Sequence, residues 1–150
     1  MTTTMYRGAA LILFTLLCGC GSAPSRQSSQ LVQLARQADQ NYQSGKFAQA
    51  KSQYETILAA NPKFVPGQIR LGVIAYHDGD AKTARSRFET ALQLDPRNAQ
   101  ARYNLAMLHL NEVTMLLDGY LDASPPAANR QQVTALLGYL REFGSRQEGK

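Results

Sequence analysis

Residues 65–98 read VPGQIRLGVIAYHDGDAKTARSRFETALQLDPRN, and residues 31–64, directly before them, read LVQLARQADQNYQSGKFAQAKSQYETILAANPKF. Laid over each other with a shift of 34 residues, they coincide at Arg36/Arg70, Tyr42/Tyr76, Gly45/Gly79 and Ala50/Ala84. They coincide again at Ser52/Ser86, Glu55/Glu89, Thr56/Thr90, Leu58/Leu92 and Pro62/Pro96. Tyr54 meets Phe88, and Lys51 meets Arg85. Chance would give roughly two identities in such a window, and a fixed period of this size marks a stacked-repeat architecture.

The order of residues within a unit explains the period. An apolar-periodic segment ends at Tyr42-Gln43-Ser44-Gly45, and again at Tyr76-His77-Asp78-Gly79. A second helical pattern runs from Phe47 to Ala60, and again from Ala81 to Leu94, before Asn61-Pro62 or Asp95-Pro96 stops it. Glycine tolerates the left-handed turn that closes a helix, and a residue before proline is driven out of the α region. Each unit therefore reads helix, tight turn, helix, stop. Ala50 and Ala84 are small where the paired helices cross, and Tyr54 and Phe88 fill the space between them.

In this register the chain resembles the tetratricopeptide repeat family. Val65–Asn98 carries Leu71-Gly72, Tyr76, Gly79, Ala84, Phe88, Ala91 and Pro96. Leu31–Phe64 carries Leu34, Ala38, Gly45, Ala50, Tyr54 and Pro62, and Arg102-Tyr103-Asn104-Leu105-Ala106 opens a third unit. The resemblance implies an all-α fold: antiparallel helix pairs stacked as a short superhelix, with two full repeats, a partial third and a C-terminal capping helix. The third unit departs from the pattern, because Val113 stands where the turn glycine would fall and residues 101–117 hold neither Gly nor Pro. One long helix, or two with a very tight joint, is expected there, ended by Pro125-Pro126. A last helical pattern follows through Val133, Leu136, Leu137, Leu140 and Phe143, with Asn129 or a neighbour as its cap. Gly138 weakens it by about 1 kcal/mol relative to alanine. Atypical terminal repeats often shield the apolar end of a stack.

The N-terminus carries a second signal. Arg7 is the one charge before Arg26, and Ala9–Leu17 is an apolar run too short to span a bilayer. A basic start followed by such a run reads as an export signal. Leu17-Cys18-Gly19-Cys20 then resembles the lipobox of bacterial lipoproteins, with Cys20 as the lipid-attachment residue and no aspartate after it. The resemblance implies a Gram-negative lipoprotein, similar to the pilotin and pilus-assembly lipoproteins, held at the periplasmic face of the outer membrane. The expected division is a signal peptide over 1–19, a lipidated tether over 20–30, the repeat domain over 31–124 and the capping helix with its tail over 125–150. A mature chain beginning at Cys20 has no other cysteine, which leaves no disulfide, thiolate nucleophile or thiolate metal site.

Charge sets weaker bounds. Sixteen basic and 11 acidic residues give +5, and loss of Arg7 leaves 15 against 11, or +4. The basic residues are spread along the helices, so nucleic acid is not expected as a partner. His77 and His109 have no second histidine at helical metal-ligand spacing, and no phosphate-binding glycine loop or nucleophile motif is present. An enzyme is not expected, nor a cofactor or a metal.

The resemblance places the binding groove on the first helix of each unit. Carried onto this chain, it gives Arg36, Asp39 and Tyr42, then Ile69, Arg70, Val73 and Tyr76, then Tyr103, Asn104 and Met107. Such a mixture suits an extended or helical peptide docking through aromatic anchors. The competing reading packs Tyr42, Tyr76 and Leu110 against neighbouring helices. A chaperone carboxylate clamp is disfavoured, because it wants Lys and Asn where Ala35 and Asp39 stand. The functional expectation is an interaction scaffold or assembly factor for an envelope machine, a pilus or secretion system. The alternatives are an adaptor of peptidoglycan enzymes and, more weakly, direct glycan or lipid binding. Cys20→Ala should abolish incorporation of an alkyne fatty acid in metabolic labelling; label retained in that variant overturns the assignment.

Overall fold

The computed structural model describes residues 26–148, with side chains described from 28 to 144. The expected signal peptide and Cys20 lie outside the described residues. Six helices follow in order: α1 (Arg26–Gln43), α2 (Phe47–Ala60), α3 (Val65–His77), α4 (Ala81–Leu94), α5 (Ala99–Asp122) and α6 (Ala127–Glu148). No strand occurs among the described residues. Residues 26–30, expected within the tether, are the first turns of α1. Their Ser and Gln are uncommitted in isolation, and the apolar periodicity that begins at Leu31 extends the helix backwards over them.

The repeat is visible in the hydrogen bonds. The Gly45 N–H donates to Tyr42 O at 3.0 Å and the Lys46 N–H to Asn41 O at 2.8 Å. One period later Gly79 donates to Tyr76 O at 3.0 Å and Asp80 to Ala75 O at 2.8 Å. Both glycines are left-handed, with φ of 70° and 80°. This is the arrangement that satisfies the last carbonyls of a helix and reverses the chain. The stops also match: Asn61 donates to Ile57 O at 2.7 Å and Asp95 to Ala91 O at 2.8 Å. Asp80 then caps α4, its Oδ1 accepting from the Thr83 N–H at 3.0 Å, and Asn98 caps α5 through the Ala101 N–H at 3.0 Å.

Two core clusters result, and α3 belongs to both. Ala38, Ala50, Tyr54, Ile57 and Leu58 pack with Leu71 and Ile74 of α3. Ala84, Phe88, Ala91, Ala101 and Leu108 pack with Ile69 and Ala75 of the same helix. Tyr54 and Phe88 are each nearly sealed from water, and Ala50 and Ala84 are fully so. Burying each aromatic contributes roughly 1.5–3 kcal/mol.

The third unit is one uninterrupted helix of 24 residues, α5. Ser124 turns the chain with φ of 55°, and Pro125 is buried beside it. Asn129 does not cap α6. The helix has already begun at Ala127, and the Arg130 N–H closes its first turn on Pro126 O at 3.0 Å. Asn129 Nδ2 instead donates to the Tyr120 hydroxyl at 3.2 Å. α6 packs against α5 alone among the described helices, chiefly through Leu137. It leaves Leu136, Tyr139 and Phe143 exposed, so its outer face is not that of a polar cap.

The two kinds of glycine in α3 and its turn make different demands. A Cβ on Gly79 meets nothing within 4 Å, so that site is strained by its φ alone. A Cβ on Gly72 would lie 2.5 Å from the Phe88 ring. Gly79→Ala should cost about 1 kcal/mol from the left-handed backbone. Gly72→Ala should cost more, roughly 1–3 kcal/mol, by forcing Phe88 off its seat. Urea denaturation checks the ranking, and an equal or smaller loss for Gly72→Ala contradicts this packing.

Candidate functional site

The first helices of the three units, α1, α3 and α5, are tied side by side by their own polar groups. Between α1 and α3, Arg70 Nε lies 3.4 Å from Asp39 Oδ1, and its guanidinium sits over the Tyr42 ring, 4.4 Å from the centroid. The Tyr54 hydroxyl rises from the core and donates to the same Asp39 oxygen at 2.7 Å. Burial, with the neighbouring Asp39 carboxylate adding, pushes the Tyr54 phenol well above its ordinary value. It stays a neutral donor throughout the working pH range. Tyr42 also meets Phe47 edge-on at 5.6 Å, and Phe47 meets His77 at 4.7 Å. Between α3 and α5, Asn111 Nδ2 donates to the Tyr76 hydroxyl.

The expected groove residues therefore fall into three groups. Ile69 is 3 % exposed and belongs to the second core cluster. It is not a groove residue, because its side of α3 faces inward where α3 serves both cores. Asp39, Tyr42 and Arg70 reach the face, but each already holds a neighbouring helix. Arg36, Val73, Tyr76, Tyr103, Asn104 and Met107 lie on the first helices as well, with Tyr76 39 % and Tyr103 45 % exposed, and Tyr76 is likewise held across α3 and α5 by Asn111.

Depressions mark this face near both ends, and two of them meet the expected groove residues most fully. One, of about 430 Å³, lies at the N-terminal end and is lined by Val32, Ala35, Arg36, Asp39, Ile57 and Phe64 among others. The other, of about 70 Å³, is lined by Val73, Tyr76, Phe88, Asn104, Met107 and Leu108. Asn104 Nδ2 lies against this second depression, shielded from water and without a hydrogen-bond partner. A buried donor left unpaired costs about 1–3 kcal/mol, which an incoming acceptor would return.

Two polar clusters were not legible in the sequence. Gln68, buried at 6 %, donates to Pro62 O at 3.3 Å and accepts from Arg87 Nη1 at 3.0 Å. Across α4 and α5, Arg85 pairs with Glu112, whose other oxygen lies 3.2 Å from His109 Nδ1. The contacts that join the helices, Arg87 to Gln68 and Arg85 to Glu112, span 19 and 27 residues, and no local pattern announces them. Neither cluster includes a nucleophile. Among the described residues no group of three or more His, Cys, Asp or Glu side chains is gathered to hold a metal, and no helix is long and apolar enough to cross a membrane.

Helix pairs in register, a shared central helix and an exposed face on the first helices define a repeat scaffold built for binding. Two tetratricopeptide repeat family models match the chain, over residues 36–86 and 75–112. The chain belongs to the tetratricopeptide repeat proteins, whose domains are typically non-enzymatic and bind protein partners. A search of curated proteins gives no significant match.

The Arg85 hydrogen bond, with His109 assisting, holds the Glu112 carboxyl below the usual range. A depressed folded value contributes stability above the unfolded value, near 4.3, and loses it as pH falls through the folded one. Glu112→Gln should therefore be less stable than wild type at neutral pH, and the gap should close on acidification below about pH 4. Urea titrations at several pH values test this; a gap constant with pH removes the assigned ion pair.

Proposed function

We propose that the α1–α3–α5 face grips an extended or helical segment of a partner protein, with Tyr76 and Tyr103 as its aromatic anchors. The carrying observation is Asn104 Nδ2, a shielded donor without a partner in an apolar depression between α3 and α5. A peptide carbonyl is the acceptor that would complete it, and the flanking Val73 and Met107 suit an aliphatic side chain beside that carbonyl. The larger depression at Val32, Ala35 and Phe64 would receive a second anchor further along the same segment.

The export signal and Leu17-Cys18-Gly19-Cys20 support a finer reading: a lipoprotein tethered to the outer membrane on its periplasmic side, serving assembly of a pilus or secretion machine. The repeats would then hold a partner close to the membrane, raising its local concentration there.

A photo-crosslinking amino acid placed at Tyr103 of the full chain, in cells, should capture a protein segment. Asn104→Ala should reduce the yield, while circular dichroism of the variant stays at the wild-type helical content. Adducts only to lipid or glycan, or a yield indifferent to Asn104→Ala, overturn the assignment. A partner resident in the cytoplasm would refute the envelope placement while leaving the groove intact.

A further inference from the structure

The α5–α6 pair carries an apolar surface that nothing in the described chain covers. Val113, Leu116 and Tyr120 recur at i, i+3 and i+7 on α5, and Leu136, Tyr139 and Phe143 do the same on α6. They are exposed by between 38 % (Tyr120) and 74 % (Leu116). The two stripes border one side of the pair. Tyr120 accepts from Asn129, and Asn129 stands seven residues before Leu136, on the same flank of α6.

The surface also carries few charges. Residues 131–140, QQVTALLGYL, include none, and Glu142 stands beside Phe143 at the end of the stripe. Residues 113–121 include only Asp118, whose two oxygens Arg141 holds at 2.7 and 2.8 Å. Three of the six are aromatic, at roughly 150–250 Å² for a whole side chain, and the Val and two Leu are smaller, so at these exposures the stripes offer on the order of 500 Å². That lies in the upper part of the roughly 300–600 Å² of the largest apolar patch on a typical monomer. Two copies together would bury about 1,000 Å², the area at which a specific interface begins.

We propose that this face docks a second copy of the chain, the two α5–α6 hairpins pairing about a two-fold axis into a four-helix bundle. An antiparallel helix pair with two adjacent apolar stripes is half of such a bundle. A two-fold interface must complement itself, and an apolar face with few charges does so without a matching charge pattern. An acidic peptide or an anionic lipid headgroup finds no counter-charge on it. The dimer leaves the α1–α3–α5 face free and would present two such faces together, so it stands independently of the partner assigned to that face.

The test uses two full-length copies with different tags, expressed together in cells; one tag is captured after gentle detergent solubilisation and the other is probed. A species carrying both tags is expected. Leu116→Glu with Tyr139→Glu should lower its yield at least roughly 30-fold, the effect of losing one anchoring side chain. Unchanged resistance of the variant to limited proteolysis shows that it still folds. A photo-crosslinking phenylalanine analogue at Tyr139 keeps the aromatic ring and should join α5 or α6 of the other copy. Absence of a doubly tagged species overturns the proposal. So does one insensitive to the double substitution, or a Tyr139 adduct formed with lipid or another protein instead of this chain.

Discussion

The fold depends on one contact repeated once: an aromatic ring of the second helix seated on a small residue of the first. Phe88 lies so close to Gly72 that a Cβ there would come within 2.5 Å of its ring. One period earlier Tyr54 and Ala38 occupy the same places and share the first core cluster. A third such contact would need a large apolar residue at position 122, opposite Ala106, and the chain has Asp122 there. Asp118 likewise stands where Ala50 and Ala84 were needed, and Pro125-Pro126 would interrupt the second helix. No helix can seat itself on Ala106, which is exposed, so the chain continues as α5 and returns only after Ser124.

That reasoning also explains which parts of the architecture could be read from sequence. The bounds of α2 and α4 follow from Gly45, Gly79, Pro62 and Pro96, because each acts through its own backbone on its immediate neighbours. The start of α1 and the cap of α6 were misjudged for the opposite reason. Ser28 and Gln30 can end or continue a helix according to their neighbours, and Asn129, a good cap in isolation, gives its amide to the Tyr120 hydroxyl of the neighbouring helix instead. The apolar outer face of α6 was hidden in the same way. A stripe through Val133, Leu136, Leu140 and Phe143 shows that one side of the helix is apolar, but not how wide the partner helix is. α5 covers Leu137 and leaves the flank bare.

The proposed binding face could be read by position more than by role. Register placed Tyr76, Tyr103, Asn104 and Met107 on the first helices, where the structure has them. It could not separate Arg70 from them, because Arg70 differs only in its neighbours. Its ion pair with Asp39 is partly exposed and worth about 0–1 kcal/mol, and its contact with Tyr42 adds roughly 0.5–1. Neither is large against the aromatic cores. Their effect is on orientation: Arg70 holds Tyr42 and Asp39 in one arrangement across two helices.

Tyr54 extends that arrangement into the core. Its ring is part of the repeated contact, and its hydroxyl ends on Asp39, which Arg70 also reaches. The position of α1's polar edge is thereby referenced to the same ring that sets the spacing of α1 and α2. The seam between α3 and α5 lacks both parts of that arrangement: Phe88 has no hydroxyl, and Val73 stands where Asp39 stood. Asn111 turns to Tyr76 there, and Asn104, in the register of Arg70, is left with a donor unused. The α1–α3 seam is thus held through one carboxylate shared by Arg70 and Tyr54, and the α3–α5 seam through a single amide–phenol bond.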